Sequence, residues 1–100
     1  MAAALESPVD GILALSGVLD HLSAPALRES GRRLIAGSTA AQLQVDCSRL
    51  ERSSSVGLSL LLCFKRDALA HGKHLSVSGL PAELAQLAGV SGLSELLAEA

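Results

Sequence analysis

Aromatic residues are almost missing from this chain: among 100 residues there is one Phe, Phe64, and neither Trp nor Tyr. Without aromatic side chains, the bases of a single-stranded nucleic acid have nothing to stack on. Excess positive charge is missing as well, since 8 Lys and Arg face 10 Asp and Glu for a formal net charge of −2, and no basic field draws in phosphate backbones. These two deficits exclude nucleic acid as an expected partner. Long apolar runs are absent too, because even Leu60 to Phe64 falls far short of the ~20 residues that a membrane-spanning helix needs. The N-terminus lacks the basic-then-apolar layout of a signal peptide, so the expected location is cytoplasmic, without direct membrane insertion.

Catalytic signatures are equally sparse. No Gly-x-Ser-x-Gly elbow is present to lift a strained serine over a sheet. No glycine-rich phosphate cradle exists either, because Gly57 stands alone among bulky residues and no Lys-Ser or Lys-Thr follows a glycine run. His71 and His74 are spaced as a metal pair on a helix would be, yet Gly72 and Lys73 between them end the helix and leave both rings in a wet turn. A hydrolase would need a histidine near Ser55, for which His21 is the one plausible residue. Cys47 and Cys63 have no activating base beside them in sequence and read as reduced thiols. The expectation is a non-enzyme without metal or cofactor.

What the chain does have is aliphatic content. It is 49% hydrophobic and 18% charged, and at this length a single domain over residues 1–100 buries roughly 65% of the surface its unfolded chain exposes. Met1 to Ser7 carries no strand or helix signal. Ile12 to Leu15 and Val18-Leu19, interrupted by Ser16-Gly17, read as a short strand pair. Leu22 and Leu27 flank Ser23 as the two halves of a hydrophobic staple around an N-cap. A helix follows, with Pro25 in its tolerant first turn, Leu27, Gly31, Leu34 and Ile35 on the apolar side, and Gly37 as its stop.

Leu43, Val45 and Cys47 alternate with Gln42, Gln44 and Asp46, a strand ending near Ser48 that is compatible with a central or an edge position. The period turns helical from Ser54 or Ser55, with Leu58, Leu61, Leu62 and Leu69 on one side, until Gly72. His74 to Ser78 is another strand, which completes a βαβ unit with a parallel pair and a right-handed crossover. Pro81 opens a further helix carrying Leu84, Leu87 and Ala88, closed by Gly89, and Ser91 can cap a last turn with Leu93, Leu96 and Leu97. The predicted fold is α/β, a mixed sheet of four to five strands packed against three to four helices.

The junction between the strand at Val45 and the helix at Leu58 is the most informative stretch. Ser53, Ser54 and Ser55 fall where the first helical amides lack intrahelical partners, so their hydroxyls can cap the helix, accept a phosphate, or form a docking tip flanked by Arg49, Glu51 and Arg52. The residues themselves leave these three uses open.

The segments Gly17-Val18-Leu19-Asp20-His21-Leu22-Ser23-Ala24, Val45-Asp46-Cys47-Ser48, Ser54-Ser55-Val56-Gly57-Leu58 and His74-Leu75-Ser76-Val77-Ser78-Gly79, in this order over nearly the whole chain, resemble the STAS domain. That family includes bacterial anti-sigma factor antagonists and the MlaB-type subunits of phospholipid-transport ABC systems. The resemblance implies that Ser55 takes the place of the phosphorylatable Ser or Thr, Gly57 that of a helix-start glycine, and Asp20 that of an acidic residue in a neighbouring loop. Ser54 departs from the pattern, where Asp is usual, which favours a constitutive subunit over a kinase-driven switch. The MlaB-type likeness implies a cytoplasmic protein held at the inner membrane by its partner, an MlaF-type ATPase. Asp20, Arg49, Arg52, Ser53, Ser54, Ser55, Gly57 and Leu58 would then be its partner-binding residues. The alternative implied by the same family is an antagonist that binds an anti-sigma factor kinase and is released when Ser55 is phosphorylated.

Overall fold

A computed structural model describes residues 2–52 and 55–93. In chain order its elements are β1 (Ala4–Glu6), β2 (Ile12–Val18), α1 (Ala24–Gly37), β3 (Gln42–Arg52), α2 (Ser55–Ala70), β4 (His74–Ser78) and α3 (Ala82–Val90). The four strands form one sheet in the order β1-β2-β3-β4, with β1 antiparallel to β2 and the other pairs parallel. Aliphatic side chains of β2, β3 and β4 that face inward, among them Leu13, Leu15, Leu43, Val45 and Leu75, share a single core with Leu27 and Ile35 of α1, Leu61 and Phe64 of α2, and Leu84 of α3. Gln42, Gln44, Asp46, His74, Ser76 and Ser78 alternate with them and stand on the wetter face. This is the period-2 pattern of a sheet covered by helices on one side.

The β3-α2-β4 unit is as expected, with Leu43 opposite Leu75 and Val45 opposite Val77 in a parallel pair, and β3 is central. Several local expectations are corrected. A strand, β1, occupies the segment that carried no signal; three residues suffice because Leu5 pairs with Leu15 and packs against the core. The interrupted apolar run at Ser16-Gly17 is one strand, not two. Gly17 takes a φ of +84°, and a Cβ there would stand 2.4 Å from the Ala2 carbonyl oxygen, so glycine permits a bend without a break.

Strand β3 runs to Arg52, past the expected end at Ser48. Between the pairs Ala14/Asp46 and Ser16/Arg49 the register slips by one residue, a bulge that leaves Ser48 and Arg49 both exposed and returns Leu50 to the interior. The staple at Ser23 is absent, since Leu22 is 78% exposed. On α2, Leu69 is exposed and Ala68 buried. Leu61, Phe64 and Ala68 follow the 3.6-residue period inward, and Leu69 lies a further 100° or so around the helix. Gly37 and Gly89 fall inside their helices, which close at Ser38 and Ser91. The last turn expected at Leu96 and Leu97 lies outside the described residues.

Beyond α2, Gly72 at φ +68° lets Lys73 turn back. The Lys73 amide donates to the Ala68 carbonyl at 2.8 Å, in the manner of a Schellman closure. The Lys73 ammonium then donates to the Ile35 and Ser38 carbonyls at 2.6 Å each, satisfying the C-terminal end of α1.

Candidate functional site

Parallel strands β2 and β3 end side by side, and their ends are tied by the Leu19 amide, which donates to the Arg52 carbonyl at 2.9 Å. Each strand feeds a helix from this end, α1 after β2 and α2 after β3. The loop holding Asp20 and the start of α2 at Ser55 are therefore neighbours by topology. In open α/β sheets the carboxyl ends of parallel strands are where ligands and partners are met.

Asp20 builds its own loop. Its carboxylate accepts from the amides of Leu22 and Ser23 at 3.1 and 3.0 Å, and the Ser23 hydroxyl lies 3.1 Å away. These bonds from Ser23, amide first, hold the carboxyl below its ordinary value. Ser23 occupies the N-cap position without capping through its side chain, because its hydroxyl is turned back toward Asp20. Asp46, in β3, makes a similar local turn by accepting from the Ser48 amide at 2.9 Å, and that contact lowers its pKa.

Of the residues anticipated as partner-binding, Arg49, Arg52 and Ser55 are exposed, and Asp20 is half-buried. Ser53 and Ser54 lie outside the described residues. Gly57 and Leu58, expected at the same surface, are both buried, Leu58 at 5% exposure within the core. They follow Ser55 by two and three residues, and a helix that displays Ser55 turns Leu58 toward the sheet. In this structure they pack against the core.

Sequence reasoning missed an apolar groove beside Ser55. One wall is the start of α1, with His21, Ala24, Pro25 and Arg28; the other is the first two turns of α2, with Val56, Ser59, Leu60 and Cys63. Its volume is about 370 Å³. On α2 the wall follows the spacing i, i+3, i+4, i+7, so there the signal was present as a second helical stripe alongside the core stripe. Arg28 reaches across to the Asp67 carboxylate on α2, a hydrogen bond that raises the guanidinium pKa. A larger hollow of about 590 Å³ lies elsewhere, lined by Asp10, Gln42, Gln44, His74 and Ser76. It sits at the opposite, amino ends of the parallel strands, remote from Ser55, so size does not select the site.

The thiols differ. Cys47 is fully buried in β3, and burial pushes its pKa up to about 12, which denies it thiolate character. Cys63 is partly exposed in the groove, and both are free. Among the described residues, no group of three or more His, Cys, Asp or Glu could hold a metal ion. His71 Nδ1 lies 2.9 Å from the Asp67 carbonyl in the turn after α2, while His74 starts β4. Among the described residues no helix is long and apolar enough to cross a membrane.

Comparison with known proteins places these features in a family. The model of the MlaB-type STAS domain matches residues 3–98. No curated protein sequence gives a significant match. Among solved structures, the unphosphorylated form of the anti-sigma factor antagonist SpoIIAA superposes with a TM-score of 0.74 at 21% identity, covering 94% of this chain and 84% of that one. The phosphorylated form, described as a Bacillus cell fate determinant, gives 0.70 at 21% identity, over 94% and 86%. An anti-sigma factor antagonist from Mycobacterium paratuberculosis gives 0.73 at 24% identity, over 96% and 81%. At such identities the structures share the fold, a mixed four-stranded sheet with three helices, and domains of this kind are generally non-catalytic. The chain belongs to the STAS domain family, in its MlaB type.

Proposed function

We propose that this chain, as a single domain over residues 1–100, is a non-catalytic accessory subunit. It binds the MlaF-type ATPase of a phospholipid-transport ABC system and supports the assembly or activity of that transporter. The observation that carries the reading is the match of the MlaB-type family model to residues 3–98. The geometry is in keeping with it, because Asp20, Ser55, Arg49 and Arg52 gather at the carboxyl ends of β2 and β3, where the strands hand over to helices and present polar side chains to a partner. ATP chemistry would belong to the partner, and the partner would hold this domain, itself cytoplasmic, at the inner membrane.

Co-expression with the cognate ATPase, followed by purification through a tag on the ATPase, tests this directly. The wild-type chain is expected to co-purify in fixed ratio, and Ser55→Glu to be lost from the complex, since it puts charge in the middle of a docked surface. Failure of the wild-type chain to co-purify refutes the proposal.

One observation favours a second reading. Ser55 is the first residue of α2 and is exposed, a position where a helix N-terminus stabilises an added phosphate. An anti-sigma factor antagonist would use it as a phosphoacceptor for a serine kinase. Incubation with a cognate kinase and ATP would then add one phosphate at Ser55, and an unmodified mass spectrum removes this alternative.

A further inference from the structure

We infer that the groove between α1 and α2 receives an acidic amphipathic helix of the ATPase partner, an inference that rests on the proposed function and specifies what the docking surface holds. The walls decide the kind of element. Two helix surfaces, Ala24-Pro25-Arg28 on one side and Val56-Ser59-Cys63 on the other, with His21 in the turn before α1, form a furrow into which the ridges of a third helix fit. An extended strand would seek the row of unpaired backbone groups of a sheet edge, and walls made mainly of helix offer no such row. The volume of about 370 Å³ lies above the ~300 Å³ at which pockets hold ligand-sized groups, enough for apolar anchors from successive turns of a helix.

Charge decides the sign of the occupant. Both helices present their N-terminal, partially positive ends here, and neither has an acidic residue in its first turn. The Asp20 carboxylate is engaged by the Leu22 and Ser23 amides, and that of Asp67 by Arg28. Arg66 stands exposed at the rim, with its guanidinium 3.9 Å from the Cys63 sulfur, and Arg28 lines the wall opposite. A helix bringing carboxylates to this rim meets two helix N-termini and the exposed guanidinium of Arg66.

The groove carries its own reporter. Cys63 is accessible within it, while Cys47 is buried and serves as an internal control. The experiment uses the co-purified complex with the ATPase and measures N-ethylmaleimide labelling of Cys63 by peptide mass spectrometry. Labelling is expected to slow at least tenfold relative to the chain alone. Ser59, exposed on the groove wall, is replaced in parallel by a photo-crosslinking residue and, separately, by Trp to fill the furrow. The crosslink is expected on a helical, Asp- or Glu-bearing segment of the ATPase, and Ser59→Trp is expected to weaken binding at least tenfold with an unchanged circular dichroism spectrum.

If the complex forms but Cys63 labels at the free rate, or the crosslink falls on a basic or extended segment or on a second copy of this chain, the inference is overturned and the proposed function stands. If no complex forms with the wild-type chain, both fall.

Discussion

Gly31 in α1 faces the only aromatic residue of the chain, and its replacement by Ala tests how tightly the helices are packed. A Cβ built at Gly31 would lie 2.1 Å from Phe64 Cε1 and 2.6 Å from Cζ, well inside the usual carbon contact of ~3.5 Å or more. The ring must move by more than an ångström. Phe64 is fully buried and cannot swing into solvent. Overpacking of this kind costs roughly 1–3 kcal/mol, and a separation this short points to the upper half of that range. Ala gains about 1 kcal/mol over Gly in a helix interior. The net expectation for Gly31→Ala is a loss of about 1–2 kcal/mol, which lowers the Tm by roughly 4–8 °C per kcal/mol in a domain of this size. In a Phe64→Leu background, itself destabilised, the obstructing ring edge is gone. There Gly31→Ala is expected to stabilise by up to about 1 kcal/mol from propensity alone. Urea or thermal unfolding of the four proteins measures the coupling. Equal effects of Gly31→Ala in both backgrounds, or stabilisation in the wild type, would refute the packing described for α1 and α2.

Other expectations are independent of that contact. Gly17→Ala combines a left-handed φ with a clash against the Ala2 carbonyl and is expected to cost at least roughly 1–3 kcal/mol, read as a lower urea midpoint. Lys73→Met removes the donor shared by the Ile35 and Ser38 carbonyls and should cost about 0.5–1.5 kcal/mol; an unchanged Tm would show that water replaces it fully. Asp10 binds Ser38 and Thr39, and these hydrogen bonds, Ser38 first, hold its carboxyl below the ordinary 3.8. A depressed folded pKa contributes stability that is fully present above the unfolded value and is lost as the pH falls through the folded one. Asp10→Asn should therefore narrow the stability gap between pH 6 and pH 2.5, and an unaltered gap would contradict the contact. With N-ethylmaleimide at pH 8, one thiol, Cys63, should react in the native protein and the second, Cys47, only after unfolding.

Periodicity made the β3-α2-β4 unit legible, because Leu43, Val45 and Cys47 alternate strictly and α2 is rich in leucine. It could not reveal β1. Three residues, Ala4 to Glu6, carry no period of their own, and they form a strand because Leu15 stands opposite Leu5. Propensity likewise overran the true pattern at Leu22 and Leu69, which are hydrophobic residues left in solvent, while Ala68 is buried and Gly31 fills an inward position where a Cβ would strike the Phe64 ring. The site was half visible. Ser55 stood out as a hydroxyl at a strand-to-helix change of period, but the groove needs two helices placed side by side, and no local pattern encodes that adjacency.

Burial separates two kinds of residue within the Ser55-Val56-Gly57-Leu58 segment that the sequence runs together. Ser55 is exposed at the helix start, whereas Gly57 and Leu58 fix that start to the core. A charge at Leu58 would disturb the fold before it disturbed a partner, so loss of binding in such a variant says nothing about docking. Ser55 and Ser59, both exposed and one turn apart on α2, are positions where substitution changes the surface and spares the core, and so test the proposed docking. A partner that needs a constant contact is served by a junction whose hydroxyl stays unmodified, and Ser54 in place of the usual Asp suits that use. A switch would instead require Ser55 to leave the surface it helps to form for long enough to meet a kinase. The hydrogen bond between Leu19 and Arg52, the Asp20 turn and the buried Leu58 flank that surface with bonded or packed residues. A phosphate at Ser55 would put about two negative charges on that surface, and charge is the change through which it would act on binding.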